Sequence, residues 1–287
     1  MDSRKLGVKL QELILRKIDG GKFTVPALPR VAQEVRDRLD DANVDLKVVG
    51  TTIEKDPVIA AQVIKIASSP LYRSKDNLTG IQQAVARLGI KKLKEVLIAA
   101  CARQVFSSRR MELREAMMSL WTHSMAVAHL SRDISNISGM KEHEAAYLGG
   151  LLHDIGKPIA GAYLAEVETA LSGREARTWI DGASFLEVVG EIHSPIGVAV
   201  AEAWEMPPEV TGVIKDSGEY DAGNRESPTN AVRFANALSK LYGFGAGDFD
   251  EKQVTTQIMI GRSLLGIEEG VAEELARKHG GEVSDDQ

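Results

Sequence analysis

The chain has 287 residues, enough to bury a sizeable core in one large module or two lobes. Lysine and arginine number 35 against 41 aspartates and glutamates, a formal charge of −6 that supplies no global basic field and disfavours generic nucleic-acid binding. Apolar residues at 44% with aromatics at 5% give a globular chain with an Ala, Val, Ile and Leu interior, and the single Cys101 excludes an intrachain disulfide or a thiolate metal cluster.

The N-terminal residues mix charges among apolar positions, so neither a signal-peptide core nor a membrane span is expected. Together with the lone thiol, that predicts a reducing cytoplasm. Leu6, Leu10, Leu13 and Ile14 share one side of an amphipathic helix, suited to lead from an upstream domain or to pair two chains. After Gly20-Gly21, the spacing of Val31, Val35 and Leu39 predicts a helix entered through Pro26 and Pro29. Asp56-Pro57 reads as an N-cap and a first-turn proline, because the carboxylate accepts a backbone N–H where proline has none to satisfy. Ile59, Val63 and Ile66 then face inward. A helix from near Thr79 buries Ile81, Ala84, Val85 and Leu88, and Gly89 supplies a left-handed closing residue. Its successor buries Leu93, Val96, Leu97 and Ala100 and leaves Lys91, Lys92 and Lys94 as a solvated face.

Ser107-Ser108-Arg109-Arg110 is a polar break, read as the boundary between two lobes. Beyond it, Leu120, His123, Val127, Leu130 and Ile134 are spaced 3, 4, 3, 4, one stripe of a helix from Met111 to about Ser135 with a histidine among aliphatics. A second helix is predicted over Glu142 to Leu164, with Ala145, Leu148, Leu152, Ile155 and Ile159 inward. Gly149, Gly150 and Gly156 each cost such a helix roughly 1 kcal/mol, which points either to something approaching the backbone closely around His153-Asp154 or, equally well, to close helix packing. Residues 216–230 read as a polar loop and 280–287 as a frayed acidic tail. No stretch alternates as a strand does, so the fold class is all-α.

Of six histidines, His129 falls opposite the apolar stripe and reads as a surface residue, while His143 and His279 lie in charged surroundings and read as solvated. His123, the pair His153-Asp154, and His193 remain. Neutral imidazoles with a carboxylate suit one divalent transition ion held between packed helices. Ser194-Pro195 reads as a helix start, which would set His193 at an N-terminus favourable to anions, and Lys157, one turn after His153, could hold a phosphate oxygen. Taken singly, each has an ordinary reading: a hydrogen-bonded core histidine, a solvated lysine, a cap. Their order along the chain is the distinctive feature.

The segments LLHDIGK and WTHSMAVAHLS resemble the HD superfamily of metal-dependent phosphohydrolases. The stretch from about Val25 to Leu241 is similar more specifically to the HDOD module, through VPALPRVAQEV, EKDPVIAAQVIKIASSPLY, AVARLGIKKLKEVL and HSPIGVAVAEAWEMP. The resemblance implies residues 1–21 as a leading helix or linker and 22–110 as an N-terminal helical lobe. It makes 111–279 an HD-like lobe packed on the first, and 280–287 a disordered tail. HDOD modules are regarded as output or scaffold domains in bacterial signalling, often joined to receiver or cyclic-dinucleotide domains.

Carried over by position, the superfamily's ligands fall on His123, His153 and Asp154, and its closing aspartate falls on Asn236 in VRFANALSK. An amide cannot neutralise or bridge divalent cations as a carboxylate does. The histidine pair and Gly-Tyr-Pro motif of the HD-GYP branch are missing after His193, where the chain reads VIKDSGEYDAGN. His193 and Asn236 are therefore peripheral candidates for a single ion (Mn, Fe or Mg), too few ligands for a two-metal phosphodiester clamp. The leading expectation is a non-catalytic signalling module acting through two-component or cyclic-dinucleotide partners, with homodimerisation open and no membrane or nucleic-acid partner. The alternative is a degenerate HD phosphohydrolase of a nucleotide or phosphodiester, with Lys157 and His193 as catalytic candidates. A third reading keeps His123, His153 and Asp154 as a buried hydrogen-bonded cluster inherited from an enzyme.

Overall fold

The computed structural model describes residues 24–283 except 42, 70–71, 73–77, 79, 109–110, 173–181 and 217, together with 12–13, 16–17 and 20. The leading helix expected over the first residues and the end of the acidic tail lie mostly outside them. Every regular element among the described residues is helical, as the apolar periodicity requires. No described helix is long and apolar enough to cross a membrane.

The described chain forms two compact units, dividing between Gln104 and Val105. The first holds α1 (Arg30–Leu39), α2 (Leu46–Ile53), α3 (Pro57–Ala67) and α4 (Ile81–Val105). Asp56 caps α3 as its side chain accepts N–H bonds from Val58 and Ile59 at 3.0 and 3.1 Å. Gly89, at φ 66°, breaks α4 into the two helices the sequence suggests. The lysine face is corrected in part: Lys91 is exposed, but Lys92 pairs with the buried Glu95 at 3.2 Å and Lys94 with Asp40. A buried carboxylate needs such a partner.

The second unit contains the described residues up to Pro26 and everything from Val105 to Gly280. Its helices are α5 (Met111–Ile137), α6 (His143–Leu152), α7 (Gly156–Ser172), α8 (Gly182–Ala203), α9 (Pro208–Asp216), α10 (Pro228–Ser239), α11 (Glu251–Leu265) and α12 (Glu269–Val283), with a π-helical turn at Lys240–Phe244. The predicted stripe on α5 is buried at every position from Leu120 to Ile134, and α5 packs against α6, α8 and α10. Val127, Leu130 and Ile134 enter one apolar cluster with Val213, Val232, Phe234 and Leu238. The Trp204 indole N–H donates to the Pro26 carbonyl at 2.7 Å.

Because helices surround α5 on more than one side, its second face is also buried. This corrects the reading of His129, which is 6% exposed, stacks near Tyr147 with centroids 5.3 Å apart and meets Arg132. His143 is likewise half-buried and bonded to the Ser135 hydroxyl at 2.9 Å rather than solvated. The side chain of His279 lies outside the described residues.

A candidate metal centre in the helical bundle

Residues 142–164 do not form the single helix their periodicity predicts. α6 ends at Leu152, His153–Ile155 make a turn, and α7 starts at Gly156. Pro158 carries the cause: it has no N–H to return to the Asp154 carbonyl four residues back. Two short bonds fill the gap, from Ile155 N–H to Leu152 O at 3.0 Å and from Lys157 N–H to Asp154 O at 2.9 Å. In this turn His153 and Asp154 both project into the bundle, each 2% exposed. Successive helical positions would diverge by about 100°.

His193 arrives differently from the sequence reading. Ser194-Pro195 does not open a helix; α8 begins upstream and runs through Pro195, held by the buried stripe Ile192, Ile196 and Val200. The imidazole therefore sits mid-helix, and the anion-favouring N-terminus inferred for it is withdrawn. What brings it to the site is a glycine contact: a Cβ on Gly156 would overlap the His193 carbonyl. That is the close approach that Gly156 in LLHDIGK announced.

His123, His153 and Asp154 converge with ligand atoms within 4.8 Å of one another. His123 Nε2 lies 3.8 Å and His153 Nε2 3.4 Å from Asp154 Oδ2, and His193 Nε2 is 3.4 Å from Oδ1. The Nδ1 atoms point the other way. His153 Nδ1 donates to Gly150 O at 2.8 Å, His193 Nδ1 to Gly190 O at 2.7 Å and His123 Nδ1 to Phe244 O at 2.8 Å. Carbonyls only accept, so each Nδ1 carries the proton and each Nε2 presents a lone pair. Three lone pairs aimed at one carboxylate repel unless a cation lies among them. Lys157 provides one, its ammonium donating to Asp154 Oδ2 at 2.6 Å.

The protonation states follow from burial. Desolvation, reinforced by His153, pushes His123 down to about 3, and desolvation likewise lowers His153 and His193. Burial would push the Asp154 carboxyl up, but its cationic surroundings hold it well below the usual carboxylate range. With the imidazoles neutral, the Lys157 ammonium is the charge responsible. Desolvation also lowers Lys240, whose ammonium feels Asp154.

One buried atom of the centre makes no hydrogen bond, His153 Nε2; Asn236 Oδ1, one turn before Ser239 on α10, is likewise buried and unbonded. With Nε2 of His123 and a carboxylate oxygen, His153 Nε2 is a donor of the kind a single divalent cation takes. The residues thus fit one ion, for which His123, His153 and Asp154 would be the ligands. They do not fit two, because the group contains one carboxylate among the described residues. The sequence reading missed Ser239, Lys240 and the Phe244 carbonyl. Ser239 and Lys240 follow Asn236 by 3 and 4 positions, one turn along the same helix, and that spacing is the available signal.

A helical bundle that gathers an imidazole from one long helix, an adjacent His-Asp pair from a helix break and a further imidazole from a neighbouring helix is a module of HD type. The chain belongs to the HDOD domain family, whose model matches residues 25–219. The fold is shared, at a TM-score of 0.74, with a candidate metal-dependent phosphohydrolase from Shewanella amazonensis SB2B, 21% identical, over 99% of this chain and all of that one. It is shared at 0.62 with a candidate signal transduction protein from Marinobacter aquaeolei VT8, 22% identical, over 91% of this chain and 59% of that one. An uncharacterized protein of Treponema pallidum (strain Nichols) is 23% identical over 209 residues, 72% of this chain, which spans only 39% of that relative's length.

Proposed function

We propose that the chain is a non-catalytic signalling module that acts through protein partners, and that its HD centre holds at most one divalent ion as a structural element. The observation that carries this reading is the charge at the centre. Asp154 contributes one negative charge, Lys157 already neutralises it at 2.6 Å, and the amide of Asn236 adds none. Two divalent ions would bring four positive charges into a buried site with one carboxylate, and burying uncompensated charge is strongly unfavourable. Without a metal pair there is no clamp for both the attacking and the leaving oxygens of a phosphodiester. Family membership and the fold shared with a candidate signal transduction protein support the same reading. The partners are those of two-component or cyclic-dinucleotide pathways.

A second reading, a one-metal phosphohydrolase, is favoured by the orphaned His153 Nε2 and by the three converging lone pairs. There, His123, His153 and Asp154 would hold a Mn, Fe or Mg ion that supplies Lewis acidity, and Lys157 and His193 would face the phosphoryl oxygens. The experiment that separates the two loads purified protein with Mn, Fe(II) or Mg, desalts it, and measures ion content and turnover of cyclic dinucleotides and of bis(p-nitrophenyl) phosphate. No more than one ion per chain and no hydrolysis is the expected result. Two ions per chain, or turnover abolished by Asp154→Ala in a folded protein, overturns the proposal.

A further inference from the structure

The three imidazoles of the centre are not held alike. His153 and His193 donate their Nδ1 protons to carbonyls three residues back, Gly150 and Gly190, so each is oriented by its own local backbone. His123 reaches 121 positions along the chain, to Phe244. That carbonyl is available because α10 does not end in an ordinary cap. The helix widens after Ser239 into the π-helical turn Lys240–Phe244, where Tyr242 sits at φ −95°, ψ 17° and Gly243 at φ 89°, ψ 10°.

Ser239 completes the arrangement. Fully buried, it donates its hydroxyl proton to Asn236 O at 2.9 Å, so its oxygen lone pair is what faces His123 Nδ1 at 3.2 Å. Both neighbours of Nδ1 therefore accept. We infer that Ser239 and the Lys240–Phe244 turn are the positioning element of the centre, fixing the His123 tautomer and ring orientation and so deciding whether Nε2 is free for a cation. Gly243 is the pivot. Its positive φ turns the chain so that the Phe244 carbonyl meets the imidazole, and only a residue that tolerates the left-handed region can stand there.

The test rests on the reading of the centre as a cation site only in its second readout. A Cβ on Gly243 meets nothing within 4 Å, so substitutions there act through φ rather than through crowding. Asn tolerates this conformation and Val does not. Long-range ¹⁵N correlation spectra of the imidazoles are recorded for wild type, Gly243→Val, Gly243→Asn and Ser239→Ala in the full chain, followed by Co(II) titrations. Wild type and Gly243→Asn are expected to show His123 protonated at Nδ1. Gly243→Val is expected to populate the Nε2-protonated form and to weaken Co(II) by about 10-fold or more, as loss of an outer hydrogen-bond partner of a ligating histidine does. Ser239→Ala, which leaves the backbone untouched, moves the same way by less and carries the test if Gly243→Val does not fold. An unchanged tautomer in both Gly243→Val and Ser239→Ala, or an equal loss in Gly243→Asn and Gly243→Val, overturns the inference. Absence of Co(II) binding in wild type refutes the cation site instead, and the spectra still decide the positioning role.

Discussion

Lys157→Met removes the internal counter-charge of the centre while keeping the length and most of the apolar volume of the side chain. Asp154 has a 3% exposed side chain, and its partner ammonium, 2.6 Å away, is 17% exposed. Removing one member of a buried pair strands the other, at a cost of about 3–5 kcal/mol for full burial. The partial exposure of Lys157 and the nearby Lys240 place the expected loss near the lower end, about 3 kcal/mol. For a unit of this size that corresponds to a midpoint roughly 6–12 °C lower. Trp121 and Trp204 are buried in the second unit and no tryptophan lies in residues 27–104, so tryptophan fluorescence reports unfolding separately from that of α1–α4. Urea unfolding at pH 7.5 with chelator should show the loss, and added Mn should recover part of it by taking over the charge of Asp154. A loss below about 1 kcal/mol with chelator present would refute the reasoning, because a truly ionised and buried Asp154 could not be so indifferent.

Acidification and a single methyl group probe the same centre. His123 is held neutral down to about pH 3, whereas in the unfolded chain it takes up a proton below its ordinary value of 6.5. The unfolded state therefore binds more protons in that window, so stability is fully present above pH 6.5 and falls as pH drops from 6.5 towards 3. The slope is about 1.4 kcal/mol per pH unit for such a histidine well below 6.5. Urea midpoints between pH 7.5 and 4.5 should show it, and His123→Gln should flatten the dependence by roughly one histidine's worth. Gly156→Ala forces a Cβ into the His193 carbonyl, so a loss of about 1–3 kcal/mol is expected with displacement of His193. Thermal unfolding and the His193 imidazole shifts measure both, and a variant as stable as wild type would show that α7 and α8 do not approach as described.

How much of this was legible in the residues depends on how local each determinant is. Apolar spacing is a property of a dozen neighbouring residues, and it specified the all-α class, the buried stripe of α5 from Leu120 to Ile134 and the break at Gly89. Asp56-Pro57 marked the start of α3 for the same reason, since a cap is satisfied within three residues. Periodicity failed where a single residue outvoted it: Pro158 splits the expected helix at the turn that carries His153 and Asp154. At Pro195 the reverse happened: the cap reading of Ser194-Pro195 failed, and the buried, helically spaced Ile192, Ile196 and Val200 hold α8 together across a proline.

The sequence by itself determined which residue types stand at the centre: three imidazoles, one carboxylate and a lysine, and hence a centre short of negative charge. Only the tertiary structure decided their electrostatic states. Burial strips the solvent that would let His123 charge, packing of α5 inside other helices hides His129, and a carbonyl 121 residues away fixes which nitrogen of His123 is bare. Composition survives any folding, whereas protonation, tautomer and burial depend on what lies within a few ångströms, and those neighbours come from distant parts of the chain.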